Sequence, residues 1–145
     1  MLSGFKKLFG PPVFDDLEKA AQARNIHTIL LGTLTLTFTG QDPFLVRSFL
    51  RLTPNQYTKV RVRMKLAGDS KEAQFFWTTS EEPGFADNKY LNFPIQPDGQ
   101  WHEYTIPVGE HAMWKGKAIR AIRLDPSSGG APAGTKVEID WIKGE

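Results

Sequence analysis

Residues 57–66 read YTKVRVRMKL, and from Lys59 onward every second residue changes character. Val60, Val62, Met64 and Leu66 are apolar, whereas Lys59, Arg61, Arg63 and Lys65 are cationic. Side chains leave a β-strand alternately to its two faces, so a period of two means a strand with one face in a core and one in solvent. The cations then form a stripe on the outer face. Such a stripe is most simply neutralised by acidic side chains on a neighbouring strand, and it also guards a sheet edge. Periodicity alone explains the spacing, without an anion to bind.

The same pattern extends to both sides. TLTLTFT, residues 33–39, places Leu34, Leu36 and Phe38 on one face and threonines on the other. After the turn Gly40-Gln41-Asp42-Pro43, a mostly apolar strand is expected from Phe44 to Leu52, broken by Thr53-Pro54-Asn55. Further strands are expected at Ala73–Thr78, Lys89–Phe93, Trp101–Val108, Ala118–Asp125 and Thr135–Lys143, each bounded by turn residues. Many short strands preceded by only one helix predict an all-β, antiparallel β-sandwich.

The chain has 145 residues, enough for one domain that buries about two-thirds of the surface its unfolded form exposes. It has no cysteine, which excludes disulfides, thiolate metal sites and cysteine nucleophiles. Eighteen Lys plus Arg against sixteen Asp plus Glu leave a formal charge of +2, far from the positive field that duplex nucleic acid calls for. Nucleic acid is not an expected partner.

MLSGFKKLFG opens the chain, and its apolar runs are too short for a signal-peptide core or a membrane span. The chain therefore reads as cytoplasmic. At helical spacing Leu2, Phe5, Leu8 and Phe9, with Met1 ahead of them, share a face while Lys6 and Lys7 point elsewhere. The segment reads either as cover for the domain's own core or as a docking element for a membrane surface or protein partner. Gly10-Pro11-Pro12 ends this leader, and Asp15 or Asp16 caps a predicted helix through DLEKAAQARN that Asn25 closes. The expected organisation is a leader over 1–12 and one sandwich domain with a leading helix over 13–145.

The ordered set YTKVRVRMK, AQFFWTT, PDGQWHEYTIPV, WKGKAIRAIRLDP and VEIDWI resembles the galactose-binding-domain-like jelly roll shared by many carbohydrate-binding modules. The likeness covers about Leu34 to Ile142 and includes GQDPFLV. It implies a non-catalytic, carbohydrate-binding-like module with a glycan partner. It also implies a structural calcium near the last strand, where Asp140 matches a common acidic ligand and several further oxygens would be needed. Pairing of Asp140 with Arg120 or Arg123 is the simpler expectation. The complex I intermediate-associated protein family uses a similar sandwich and is more distantly similar. That likeness implies an alternative: an accessory or assembly subunit docked through its leader and one sandwich face on a larger respiratory or photosynthetic membrane complex.

A sugar site needs flat aromatic faces for the C–H patches of a pyranose and planar polar groups for its hydroxyls. Trp77, Phe85, Tyr90 and Trp114 are candidates for the first, and Arg61, Arg63, Asn88, Asn92 and Arg123 for the second. Against this, an aromatic in a strand is more often core than platform. Trp141 alternates with Val137 and Ile139 and is assigned to the core.

Catalysis has little to stand on. In DGQWHEY, residues 98–104, His102 and Glu103 are strand neighbours whose side chains project to opposite faces, so they do not form a dyad. No HExxH, GxSxG or phosphate-loop motif occurs. Asp98-Gly99 reads as a turn, Tyr104, Ile106 and Val108 as a buried face that His102 joins, and Trp101 as a cap on the sandwich edge.

Overall fold

The structure, a computed structural model, describes residues 28–37, 44–128 and 134–145, the first of these segments as backbone together with the Thr35 side chain. Eight strands lie within the described residues: β1 (Thr28–Thr37), β2 (Leu45–Arg47), β3 (Val60–Ala67), β4 (Glu72–Thr79), β5 (Tyr90–Pro94), β6 (Asp98–Ile106), β7 (Ile119–Asp125) and β8 (Lys136–Gly144). They form two antiparallel four-stranded sheets, ordered β1-β8-β3-β6 and β2-β7-β4-β5. The chain passes repeatedly from one sheet to the other, which is how a sandwich buries both inner faces around one core. The predicted leader and the helix through DLEKAAQARN lie outside the described residues, as do Phe38 and Thr39.

Alternation in the sequence becomes alternation in burial. In β3, Val60, Val62, Met64 and Leu66 are buried while Arg61, Arg63 and Lys65 lie half-exposed between them. In β4, Ala73, Phe75 and Trp77 point inward, which sends Gln74 and Phe76 outward. Ile122 and Leu124 of β7 lie beside them in the same sheet, and Val137, Ile139 and Ile142 of β8 come from the other sheet of the core.

Two expectations about strands fail, each for a local reason. The strand expected over Phe44–Leu52 is reduced to Leu45–Arg47, because Phe49 takes φ 62°, a left-handed conformation that no pleated strand accommodates. Beyond it Leu52 makes a single bridge to Ile119. In β8, Arg63 faces Trp141 and Met64 faces Ile139, so Asp140 is an inserted residue that breaks the alternation. Ile142 returns to the core, and Trp141, expected inside, lies half-exposed beneath the Lys143 ammonium, 4.3 Å from its ring centre.

Trp77 and Trp114 are core and not ligand platforms. They are 0% and 2% exposed, and their rings meet edge to face with centroids 5.4 Å apart. Trp77 is carried inward by the register of β4, and Trp114 by the turns over 111–116 that close one end of the sandwich. Each indole N–H is satisfied by a backbone carbonyl, Trp77 donating to Met113 at 3.0 Å and Trp114 to Tyr57 at 2.8 Å. Truncating either ring empties a large volume and orphans a carbonyl. Trp77→Ala and Trp114→Ala are each expected to cost about 3–5 kcal/mol, read as a lower urea midpoint at unchanged slope.

Candidate functional site

The sandwich offers two outer faces. On the β1-β8-β3-β6 sheet the cationic stripe is neutralised from both sides. Arg61 pairs with Glu103 and Glu145, Arg63 with Asp140 and Glu103, and Lys65 with Glu138. The cross-strand register accounts for this: Arg63 lies opposite Glu103 on β6, and Lys65 opposite Glu138 on β8. The exposed tryptophan surfaces are also occupied. Arg63 stands 5.1 Å over Trp101, and Arg61 lies 5.7 Å from Trp141. The expected cap at Trp101 is thus a ring on an edge strand covered by a guanidinium, and Arg61 and Arg63 both hydrogen-bond carboxylates of their own sheet face.

The β2-β7-β4-β5 sheet is built differently. Register sets Tyr90 of β5, Phe76 of β4, Arg123 of β7 and Val46 of β2 in one row across four strands. A second row beside it holds Asn92, Gln74 and Asp125. Directly opposite residues share a face, so the rows lie side by side on the outer surface. Phe76 and Tyr90 stack at 5.0 Å with their planes 22° apart, and the Arg123 guanidinium sits between Phe44 at 4.1 Å and Phe76 at 4.9 Å. Asp125, 3% exposed, holds Arg123 in a fork through Nε at 2.7 Å and Nη2 at 2.8 Å. An arginine clamped by two rings and a bidentate carboxylate has little freedom left to lose.

The amides differ from the arginine. Neither the Gln74 nor the Asn92 side chain hydrogen-bonds any described residue, so two planar donor–acceptor groups stand unspent next to an aromatic row. Tyr90 ends the stack, and its far face meets no second ring among the described residues. This is the combination that a polyhydroxylated ring requires: an apolar face beside amides that can donate and accept at once.

Of the residues that sequence nominated, the structure brings Tyr90, Asn92 and Arg123 together here and sets Arg61 and Arg63 on the opposite sheet. Phe85 and Asn88 lie in the β4–β5 loop, where Asn88 donates to Glu82 at 3.2 Å. The buried Lys89 ammonium lies 3.7 Å from the same carboxylate. Phe44, Gln74 and Phe76 were not nominated. For Gln74 and Phe76 the signal was present: if Phe75 and Trp77 point inward, alternation sends their neighbours out.

No protein-family model and no curated protein matches the sequence. Solved structures match by fold. The glycoside hydrolase domain of Endo-D from Streptococcus pneumoniae R6 aligns at TM-score 0.55 and 18% identity over 76% of this chain, which spans 17% of that one. The family 11 carbohydrate-binding module from Clostridium thermocellum, solved with a β-1,3-1,4-mixed-linked tetrasaccharide, aligns at 0.51 and 16% identity over 77% of this chain and 74% of that one. The low-affinity xylan-binding module CBM86 from Roseburia intestinalis aligns at 0.52 and 15% identity, covering 82% and 81%. At such identities the likeness is one of fold. The chain has the β-sandwich architecture of carbohydrate-binding modules, as the jelly-roll resemblance implied.

The other nominated positions fall elsewhere. Asp140 pairs with Arg63 at 3.1 Å and not with Arg120 or Arg123, because the inserted residue in β8 turns it toward β3. Among the described residues no group of three His, Cys, Asp or Glu side chains that could hold a metal ion occurs. Met1, Leu2, Phe5, Lys6, Lys7, Leu8 and Phe9 lie outside the described residues. No helix among the described residues is long and apolar enough to cross a membrane.

DGQWHEY resolves into a fold element. His102 Nε2–H donates to Asp98 at 2.8 Å across the start of β6, and Tyr104 accepts from the backbone N–H of Gln96 at 3.0 Å. The bond from His102, and then the N–H of Gln100, hold the Asp98 carboxyl below its ordinary 3.8. A depressed carboxyl stabilises the fold above its unfolded pKa and loses that contribution as pH falls through the folded value. An NMR titration is expected to place Asp98 below 3.8, and His102→Ala to move it up toward that value.

Proposed function

We propose that this chain is a non-catalytic carbohydrate-binding module that holds a glycan against the outer face of the β2-β7-β4-β5 sheet. The observation that carries the reading is the pair of unengaged amides, Gln74 and Asn92, in register beside the Tyr90–Phe76–Arg123 row. Tyr90 gives the pyranose an apolar face. Gln74 and Asn92 bond its vicinal hydroxyls, and Arg123, fixed by Asp125 and two rings, orders the edge of the surface without a conformational search. Nothing on this face performs a reaction. Among the described residues its strands carry no histidine, and of its two carboxylates Asp125 is committed to Arg123 while Glu72 stands exposed at the start of β4. The fold likeness to modules described with a mixed-linked β-glucan tetrasaccharide and with xylan supports the choice of ligand class.

Affinity electrophoresis and calorimetry with mixed-linked β-glucan, xylan and cello-oligosaccharides test this. The folded chain is expected to bind at least one of them. Gln74→Ala and Asn92→Ala should each weaken that binding about two- to tenfold, matching the roughly 0.5–1.5 kcal/mol of one neutral hydrogen bond. Tyr90→Ala should weaken it by about tenfold, on the order of 1.4 kcal/mol. Arg61→Ala, on the other sheet, should change nothing. Binding that survives the substitutions on the β2-β7-β4-β5 face, or a folded chain that binds none of the panel, removes the proposal.

A further inference from the structure

The segment between β2 and β3 carries a second unusual feature. Phe49 is 69% exposed, the one large hydrophobic side chain so exposed among the described residues, and its backbone is left-handed at φ 62°. Bulky residues avoid that conformation, so its presence at a solvent-facing phenylalanine calls for a role beyond packing. Phe49, Leu50, Arg51 and Arg120 line a cavity of about 420 Å³, within the usual range for small ligands.

The two arginines are the decisive part. Leu52 bridges Ile119, and the N–H of Leu50 donates to the carbonyl of Arg120 at 2.8 Å, so the backbones of Arg51 and Arg120 run side by side at those contacts. Arg120 is also the inserted residue of β7, since Thr78 faces Ala121 and Thr79 faces Ile119. An insertion of this kind re-aims a side chain. Arg61, Arg63 and Arg123 each have a carboxylate, but among the described residues the Arg51 side chain has no ion pair or hydrogen-bond partner, and that of Arg120 reaches only the carbonyl of Ile119 at 3.5 Å. Two guanidinium groups thus line one cavity, neither with a carboxylate partner among the described residues, beside an exposed aromatic ring.

We infer that this cavity is a second binding site, separate from the sheet face, that takes an acidic saccharide by its carboxylate. The planar forks of Arg51 and Arg120 match the two oxygens of a uronate carboxylate, which supplies the negative charge that both side chains lack. Phe49 lies against the C–H face of the same sugar ring. A single phenylalanine is a small anchor for a bilayer, whereas an open cleft of about 420 Å³ has room for one monosaccharide unit.

The test uses the full chain with glucuronate and oligogalacturonate, set against glucose, acetate and phosphatidylserine vesicles, read by calorimetry and by amide NMR shifts at residues 49–52 and 119–121. Uronates are expected to bind at least tenfold more tightly than glucose or acetate. An Arg51→Gln/Arg120→Gln double variant and Phe49→Ala should each lose that binding tenfold or more. Both substitute exposed side chains, and an unchanged urea midpoint verifies the fold. Tyr90→Ala should leave uronate binding intact, so failure of this site and failure of the sheet-face reading produce different patterns. Equal affinity for acetate and glucuronate, retained uronate binding in the double variant, or vesicle binding that the same variants abolish would each overturn the inference.

Discussion

Trp77 and Trp114 meet edge to face at the end of the sandwich, and each indole N–H is tied to a backbone carbonyl in a different part of the chain. Trp77 joins β4 to the turn at Met113, and Trp114 joins that turn to Tyr57, just ahead of β3. The two rings thereby fix the sheets relative to one another at the point where the chain crosses between them. His111 packs edge-on against Trp77 at 4.9 Å and completes the cluster. Buried aromatic N–H groups that lost these partners would face the full cost of desolvation, so this end of the fold has little tolerance for rearrangement.

With the inside fixed, the two outer faces are free to diverge, and they do so in how their polar groups are used. The face containing β3 directs its cations at its own carboxylates and its own tryptophans. Partly exposed ion pairs of this kind each contribute only about 0–1 kcal/mol, so their main effect is to leave a surface with little remaining to offer a ligand. The face containing β4 concentrates its internal bonding in Arg123 and Asp125 and leaves its amides open. The first arrangement suits solubility and edge protection, and the second suits recognition.

Much of the fold was legible because a period of two carries through β3, β4 and β8 with few exceptions. Neutralisation of the stripe was legible for the same reason, since opposite charges across a ladder are the ordinary solution. What could not be read were the places where one residue changes the phase. The insertion at Asp140 moved Trp141 out of the core, and the left-handed Phe49 ended a strand that composition would have continued. Neither leaves a mark in residue type. The candidate site was half legible: Tyr90, Asn92 and Arg123 are recognisable as side chains of the kind a sugar site uses, but Phe76 stands out only through the register that buries its neighbour Trp77.

The strands that bound the proposed glycan face are short, three residues in β2 and five in β5. Four strands spaced about 4.8 Å apart make a surface roughly 14 Å wide from β5 to β2. An oligosaccharide laid along the Tyr90–Phe76–Arg123 row would therefore run out of protein after a few sugar units. Such a surface gains nothing from a longer polymer except more places to land, so its occupancy on a polysaccharide would be governed by the density of sites along the chain, with each contact brief and independent of the next.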